Sequence, residues 1–409
     1  MMATLANAQI ADKDSPFDSG AAYLLAQKCD VNEIIAISPD REVEVLKNNP
    51  YVIARIKGAT TATDAFNESH EVVQQALDLL SVQGKAYLST RNALDENLIW
   101  WREPSGQVLR VVSVFNWSVT VGGPIEIIET DKDGNVVPRT APPQVIYHES
   151  FRYFRLSQVT DDLFDAFRNM YLAFESLLEY VAPRLKSESE GRWLRRALRI
   201  ANSRIPLIGV FAPTTSDVVA DIYKQIYVYI RCAIFHSKTS PRLLPLLPQN
   251  LSDRKIVGEG LIKLTRLVLL IAENCLHARH HTGRLTYDGF SMMTKPMLQT
   301  STILVSDSDE PPDKADTLDS PAYRGALEMK TGPAPDLSEP GLNFILGTID
   351  KAALHALTRI ARFGVKSNNK LLMTTTIEAE LKHAGIDRLE AQLGIQLRNV
   401  REPKHLYKA

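Results

Sequence analysis

Residues 217–236 read DVVADIYKQIYVYIRCAIFH, and this stretch decides how the chain is parsed. Val218, Val219, Ile222, Ile226, Tyr229 and Ile230 recur at helical spacing, so one face of a helix is apolar. Thr215 or Ser216 can cap its start. Near its end stand Arg231 and His236, an arginine and an imidazole five residues apart. On an ideal helix, five residues turn through about 500°, which leaves the two side chains roughly 140° apart. They converge if the helix loosens, or if a second copy of the chain completes the site.

Working outward, the same periodicity recurs on both sides. From Thr160, the residues Leu163, Phe164, Phe167, Tyr171, Phe174, Leu177 and Leu178 form one apolar stripe, and Pro183 ends the run. Residues 189–202 form a short basic helix with Trp193, Leu194, Ala197 and Leu198 facing inward. Residues 257–281 form a last helix that is apolar almost all round near Leu264–Ile271, the mark of a buried element. Four helices over 160–281 satisfy the pattern of a compact bundle.

The chemistry open to Arg231 and His236 is specific. A neutral imidazole can take a proton from a ribose 2′-hydroxyl and return one to the leaving oxygen. An arginine can hold the phosphate and stabilise the charge that develops on it. Such a cut needs a neighbouring 2′-hydroxyl, so it acts on RNA and not DNA. The same two residues also suit a plain structural role, because cations are favoured at a helix C-terminus.

Four blocks in order, DAFRNMYLAFESLLEYV (165–181), EGRWLRRAL (190–198), YVYIRCAIFHSK (227–238) and LIKLTRLVLLIAENCL (261–276), resemble the HEPN superfamily. Within it they are similar to the helical domain of methylamine-utilisation accessory-type proteins and of Apea-like HEPN proteins. The resemblance covers under a third of the chain. It implies a helical bundle that dimerises across the motif helix, and a metal-independent endoribonuclease of the toxin or antiphage-defence type. Arg231 and His236 match the family's motif pair, and Glu175, in the FESLL segment, matches a recurring polar position that orients one of them. The residue after the motif arginine, often Asn, Asp or His in nuclease members, is Cys232 here.

Arg192, Arg195, Arg196 and Arg199 repeat at helical spacing and form a candidate RNA-binding strip, set against Glu188 and Glu190. A solvated charged face reads equally well. Cys275, His277, His280 and His281 end the last helix without a third ligand at motif spacing, so no metal site is assigned. Trp100, Trp101 and Trp117 could stack bases, but a sheet core explains them better.

Outside the bundle, residues 41–56 and 64–83 read as helices, with Asp64 as cap and Gly84 as stop. Residues 86–156 carry short Val/Ile/Tyr/Trp runs separated by turn residues, including a hairpin around Asp131–Asn135, and read as a small antiparallel sheet. After Gly283, STILVS (301–306), GALEMK (325–330) and GLNFILG (341–347) are strand-like. The acidic stretch SDSDEPPDKADTLDSP (306–321) reads as loop open to disorder, and a helix is expected over 350–363. Residues 370–381 and 393–400 fit strand or helix.

The 409 residues, with 47 Lys+Arg against 48 Asp+Glu, give a net charge of -1, so global charge attracts neither nucleic acid nor membrane. The three cysteines are scattered, which fits a reducing compartment. No secretory signal or spanning segment is read, so the expected location is cytoplasmic.

The resulting expectation is an α+β multidomain protein. A central all-α HEPN-like four-helix bundle (157–284) is flanked by smaller mixed α/β modules, 1–156 and 285–409. It would act as a homodimeric endoribonuclease on RNA, without cofactor, through Arg231, His236 and Glu175, with the flanking modules recognising a trigger, an RNA or a protein partner. The alternatives are a silent HEPN scaffold binding RNA, nucleotide or protein, and a structural accessory factor of an amine-utilisation operon.

Overall fold

The computed structural model describes residues 2–11, 15–91, 93, 96–117, 132–133, 143–160, 162–211, 216–235, 246, 251–279, 287–332 and 342–397. The chain divides into two compact units, one made of residues 1–117 and 285–397, the other of residues 118–284 and 398–409.

The first unit begins with strands β1 (Ala3–Leu5), β2 (Ala8–Ala11), β3 (Ser19–Leu24), β4 (Glu33–Ser38), β5 (Arg41–Val45) and β6 (Tyr51–Ile56). Helix α1 (Ala62–Val82) follows, then β7 (Glu96–Glu103) and β8 (Gly106–Trp117). Thr61 caps α1 by accepting a hydrogen bond from the Asp64 amide, and Gly84 ends it at a positive φ of 67°. Asp64 therefore belongs to the first turn of the helix and is not its cap.

The second unit holds α2 (Ser150–Val159), α3 (Leu163–Val181), α4 (Glu190–Arg204), α5 (Ile208–Phe211) and α6 (Val218–Ile222). The run continues as a π-helix (Tyr223–Arg231) and α7 (Cys232–Phe235), and α8 (Leu251–Leu276) closes the unit. The chain then returns to the first unit with α9 (Tyr287–Gln299), β9 (Thr302–Ser306), β10 (Leu327–Gly332), β11 (Leu342–Asp350), α10 (Lys351–Leu354), β12 (Ile360–Ser367), β13 (Lys370–Lys382) and β14 (Arg388–Leu397).

Among the described residues, fourteen strands form one sheet, ordered β2-β1-β13-β12-β9-β10-β11-β14-β8-β7-β3-β6-β5-β4. Among the described residues every ladder is antiparallel except β14 with β8, which run parallel from Arg388↔Val108 to Leu397↔Trp117. That seam joins the two ends of the chain, and Arg110 pairs across it with Glu390 at 2.7 Å. The sheet curls so that its β2-β1-β13 end lies over β6, β3, β7 and β8. Arg55 Nε donates to the Gln9 carbonyl at 2.8 Å, and Ser113 and Thr375 hydroxyls meet at 3.1 Å. On the opposite face Val72, Val73, Ala76 and Leu80 of α1 pack on Ala21, Tyr23, Val52 and Ala54. Strands β3 and β6 are thus buried on both faces. That explains why SGAAYL and YVIARI are mostly apolar, with the one charged side chain, Arg55, paired to Glu42 and Glu44.

This architecture overturns the expected one. The largest feature is a 14-stranded sheet built from both ends of the chain, with no central four-helix bundle between small separate modules. The helical-bundle description also fails. Residues 41–56 are two strands, since Val43 and Val45 alternate with Glu42 and Glu44 and point inward at every second position. Only one turn of the helix expected over 350–363 exists, and β12 replaces the rest. Residues 370–382 and 388–397 are strands. The acidic segment after β9 is held in place: Arg359 pairs with Asp309 at 2.9 Å, and Arg362, fully buried, pairs with Asp316 at 3.1 Å. The expected hairpin over 125–140 lies outside the described residues apart from Lys132 and Asp133. No helix is long and apolar enough to cross a membrane among the described residues.

Candidate functional site

The helical unit's core is the apolar stripe of α3 against α4, α6, the π-helix and α8, with Phe167, Phe174, Trp193, Ile226, Leu264 and Leu267 all buried. Gly260 on α8 lets the π-helix come close, because a Cβ there would lie 2.3 Å from Ile230 Cδ1. The π-helix is the local anomaly. Its i→i+5 winding is rare and clusters at functional sites. Here it runs for nine residues and ends on Arg231.

That winding places Tyr223, Tyr227 and Arg231 in one column. The two tyrosine rings stack with centroids 5.1 Å apart and an interplanar angle of 26°. Arg195 of α4 lies 4.6 Å over the Tyr223 ring, and Arg231 lies 5.3 Å over Tyr227. A guanidinium thus closes each end of a stacked tyrosine pair, an arrangement worth about 0.5–2 kcal/mol per cation–ring contact. Arg231 also faces Phe235 at 5.1 Å and Tyr171 of α3 at 5.7 Å. Three rings surround one guanidinium.

The charge partner of Arg231 is Glu190, the first residue of α4, with Nη2 2.8 Å from Oε1. The approach is close but poorly aligned. Glu190 Oε1 and Arg231 Nε are both buried without a hydrogen bond, and the buried Tyr171 hydroxyl is likewise unpartnered. Each buried unsatisfied group costs about 1–3 kcal/mol, so three in one place is an unusual concentration.

The field of the cluster follows from burial. Burial alone would lower the Arg231 pKa, but Glu190, Tyr171 and Tyr227 outweigh it and the net shift is upward. The guanidinium stays charged. Burial pushes the Tyr171 hydroxyl up, and the Tyr227 hydroxyl up to about 12, so both remain protonated donors at neutral pH. Glu175 is half-buried on α3. Burial first and the Glu190 charge second raise its pKa, and Arg231 and Arg184 only partly oppose them.

Of the residues expected from sequence, Arg231 and Glu175 share this cluster, although the ion pair to Arg231 is made by Glu190. His236 lies outside the described residues, as do His280 and His281. In the arginine strip, Arg192, Arg195 and Arg199 are exposed, while Arg196 is committed to Glu188 through contacts of 2.9 and 2.8 Å. Trp100 and Trp101 are buried in the sheet unit. Trp117 is partly exposed and meets Phe290 edge to face, with ring centroids 5.9 Å apart. No group of three or more metal-ligating side chains occurs among the described residues.

Sequence reasoning missed Glu190, Tyr171, Tyr223 and Tyr227. The spacing of Tyr223, Tyr227 and Arg231 by fours was a usable signal, but Glu190 reads only as a counter-charge to the arginines beside it. Comparison of the chain with protein-family models, with characterised proteins and with solved structures finds no match.

Proposed function

We propose that the helical unit is a metal-independent endoribonuclease centre of the HEPN kind. The observation that carries this reading is Arg231: a charged, largely enclosed guanidinium with an unused N–H, beside exposed Arg192, Arg195 and Arg199. In this reading Arg231 holds the scissile phosphate and stabilises the charge growing on its oxygens. His236 takes the proton of the adjacent ribose 2′-hydroxyl. The 2′-oxygen attacks phosphorus, the bond to the 5′-oxygen breaks, and that oxygen receives a proton. The products are a 2′,3′-cyclic phosphate and a free 5′-hydroxyl. Glu175 tunes the field at Arg231. The expected homodimer and the trigger-sensing role of the sheet unit belong to the same proposal.

A silent RNA-binding scaffold is the second reading, and the Arg231–Glu190 ion pair favours it, since a guanidinium already paired is less available for chemistry. Purified protein incubated with total RNA in EDTA separates the two. Cuts bearing 2′,3′-cyclic phosphate ends that vanish in His236→Ala support the nuclease. Binding without any cut, including after activation by cell extract, supports the scaffold.

A further inference from the structure

We propose that the space at the Arg231 guanidinium is an oxyanion site, that its ligand is a backbone phosphate of single-stranded RNA, and that Glu190 is its built-in, displaceable occupant. This rests on the reading that the helical unit binds RNA through Arg231.

The argument starts from hydrogen-bond capacity. A guanidinium offers five N–H donors in a planar fork that matches two oxygens of a carboxylate or phosphate side by side. Glu190 does not use that fork: one oxygen approaches one terminal nitrogen at 2.8 Å, and its alignment is too poor for a hydrogen bond. The Nε donor is buried and unused. The Tyr171 hydroxyl, 1 % exposed, is a second unused donor on a ring that itself lies against Arg231. Buried donors are paired in nearly all folded proteins. Unspent donors around one cation therefore point to a ligand with more acceptor oxygens than Glu190 supplies, and a phosphate group has them.

The position of Glu190 suits displacement. It is the first residue of α4, and its side chain is 27 % exposed against 16 % for Arg231. It can swing to solvent without moving the helix. The route in is marked by the same helix: Arg192, Arg195 and Arg199 are exposed, and Arg195 caps the tyrosine pair whose other end is Arg231. A strand tracking the α4 arginines would arrive where Glu190 now sits.

The test is equilibrium binding of a labelled 2′-O-methyl oligoribonucleotide, which cannot be cut, to the full chain by fluorescence anisotropy. Glu190→Gln binds about tenfold tighter than wild type, equivalent to ~1.4 kcal/mol. Its salt dependence steepens by about 0.7 in log–log slope, one extra phosphate contact on a single strand. Glu68→Gln, which removes one negative charge from an exposed pair with Arg41 in the sheet unit, leaves both unchanged. Adding Arg231→Gln to Glu190→Gln abolishes the gain, and inorganic phosphate releases the bound RNA. Unchanged or weaker binding by a folded Glu190→Gln overturns the proposal, as does a gain that survives loss of Arg231, or RNA that no phosphate concentration displaces. If Glu190→Gln does not fold, Glu190→Asp gives a smaller gain of the same sign, and no gain overturns the proposal. The uncuttable RNA keeps this readout independent of catalysis. If wild type fails to cut RNA yet Glu190→Gln binds tighter, only the nuclease reading falls.

Discussion

At the scale of single residues, the cluster around Arg231 combines two carboxylates with one permanent cation. Glu175 bears the cost of that arrangement. Its folded-state pKa is raised above the ordinary 4.5, chiefly by burial. The folded chain therefore holds this proton more tightly than the unfolded chain does. The penalty is absent at pH below the unfolded pKa, grows as pH rises through the folded one, and is constant above it. Glu175→Gln, neutral throughout, is expected to raise the melting temperature at pH 7, with the gain shrinking to nothing as pH falls toward 4. A gain that does not change with pH would assign the effect to packing. Arg231 was legible from the sequence because the motif around it is local. Glu190 and Tyr171 were not. They reach Arg231 only through the packing of α4 and α3 on the π-helix, and no spacing in the sequence encodes that distance.

At the scale of elements, local signals worked where periodicity was long. Helices α1, α3, α4 and α8 follow apolar stripes of more than three turns, and Asp162 caps α3 by accepting from the Asp165 amide. Short elements misled. In β5 an alternation of only five residues competes with good helix formers such as Glu42 and Glu44, and pairing with β6 and β4 decides the outcome. The π-helix was not readable because its residues are ordinary helix and strand formers, and a change of winding leaves no compositional mark. The acidic segment after β9 looked disordered on charge alone, but Arg359 and Arg362 supply the missing countercharges. Asp316 is held below the usual carboxylate range, first by the Asp313 backbone and then by Arg362. Arg362 is fully buried and also lies 5.6 Å over Tyr323. Arg362→Ala should cost about 3 kcal/mol, the scale for losing one partner of a buried pair, read as a lower denaturant midpoint. It should also make residues 307–320 sensitive to protease. Wild-type resistance in that segment would show that the loop is held by its other contacts.

At the scale of the whole molecule, the helical unit interrupts a single sheet. Strand β8 ends at Trp117, and its ring meets Phe290 of α9, where the chain re-enters the sheet unit. The two broken ends are therefore neighbours, and a short linker can join them. Replacing residues 118–284 with about six Gly/Ser residues, which span some 12–15 Å, should give a protein that melts cooperatively with a β-rich spectrum. Truncation after residue 284 removes β9–β14, including the parallel partner of β8, and should leave the remainder unfolded. A folded truncation would contradict the single-sheet account. This organisation was the least legible part of the sequence. The β8–β14 pairing joins residues such as Arg110 and Glu390, 280 positions apart, and local patterning carries no information about it. The division of labour that follows is a sheet unit assembled from both chain ends and a helical unit carrying the Arg231 site.

The measurement that tests this account most directly is single-turnover cleavage, in EDTA, of one RNA oligonucleotide and of the same oligonucleotide with a 2′-O-methyl group at the cut position. The account predicts cleavage of the first by wild type to a 2′,3′-cyclic phosphate end, no cleavage of the second, and a loss of at least about a hundredfold in rate for Arg231→Ala, the scale for removing one transition-state charge donor. Equal cleavage of both oligonucleotides, or an Arg231→Ala protein as fast as wild type, would contradict it.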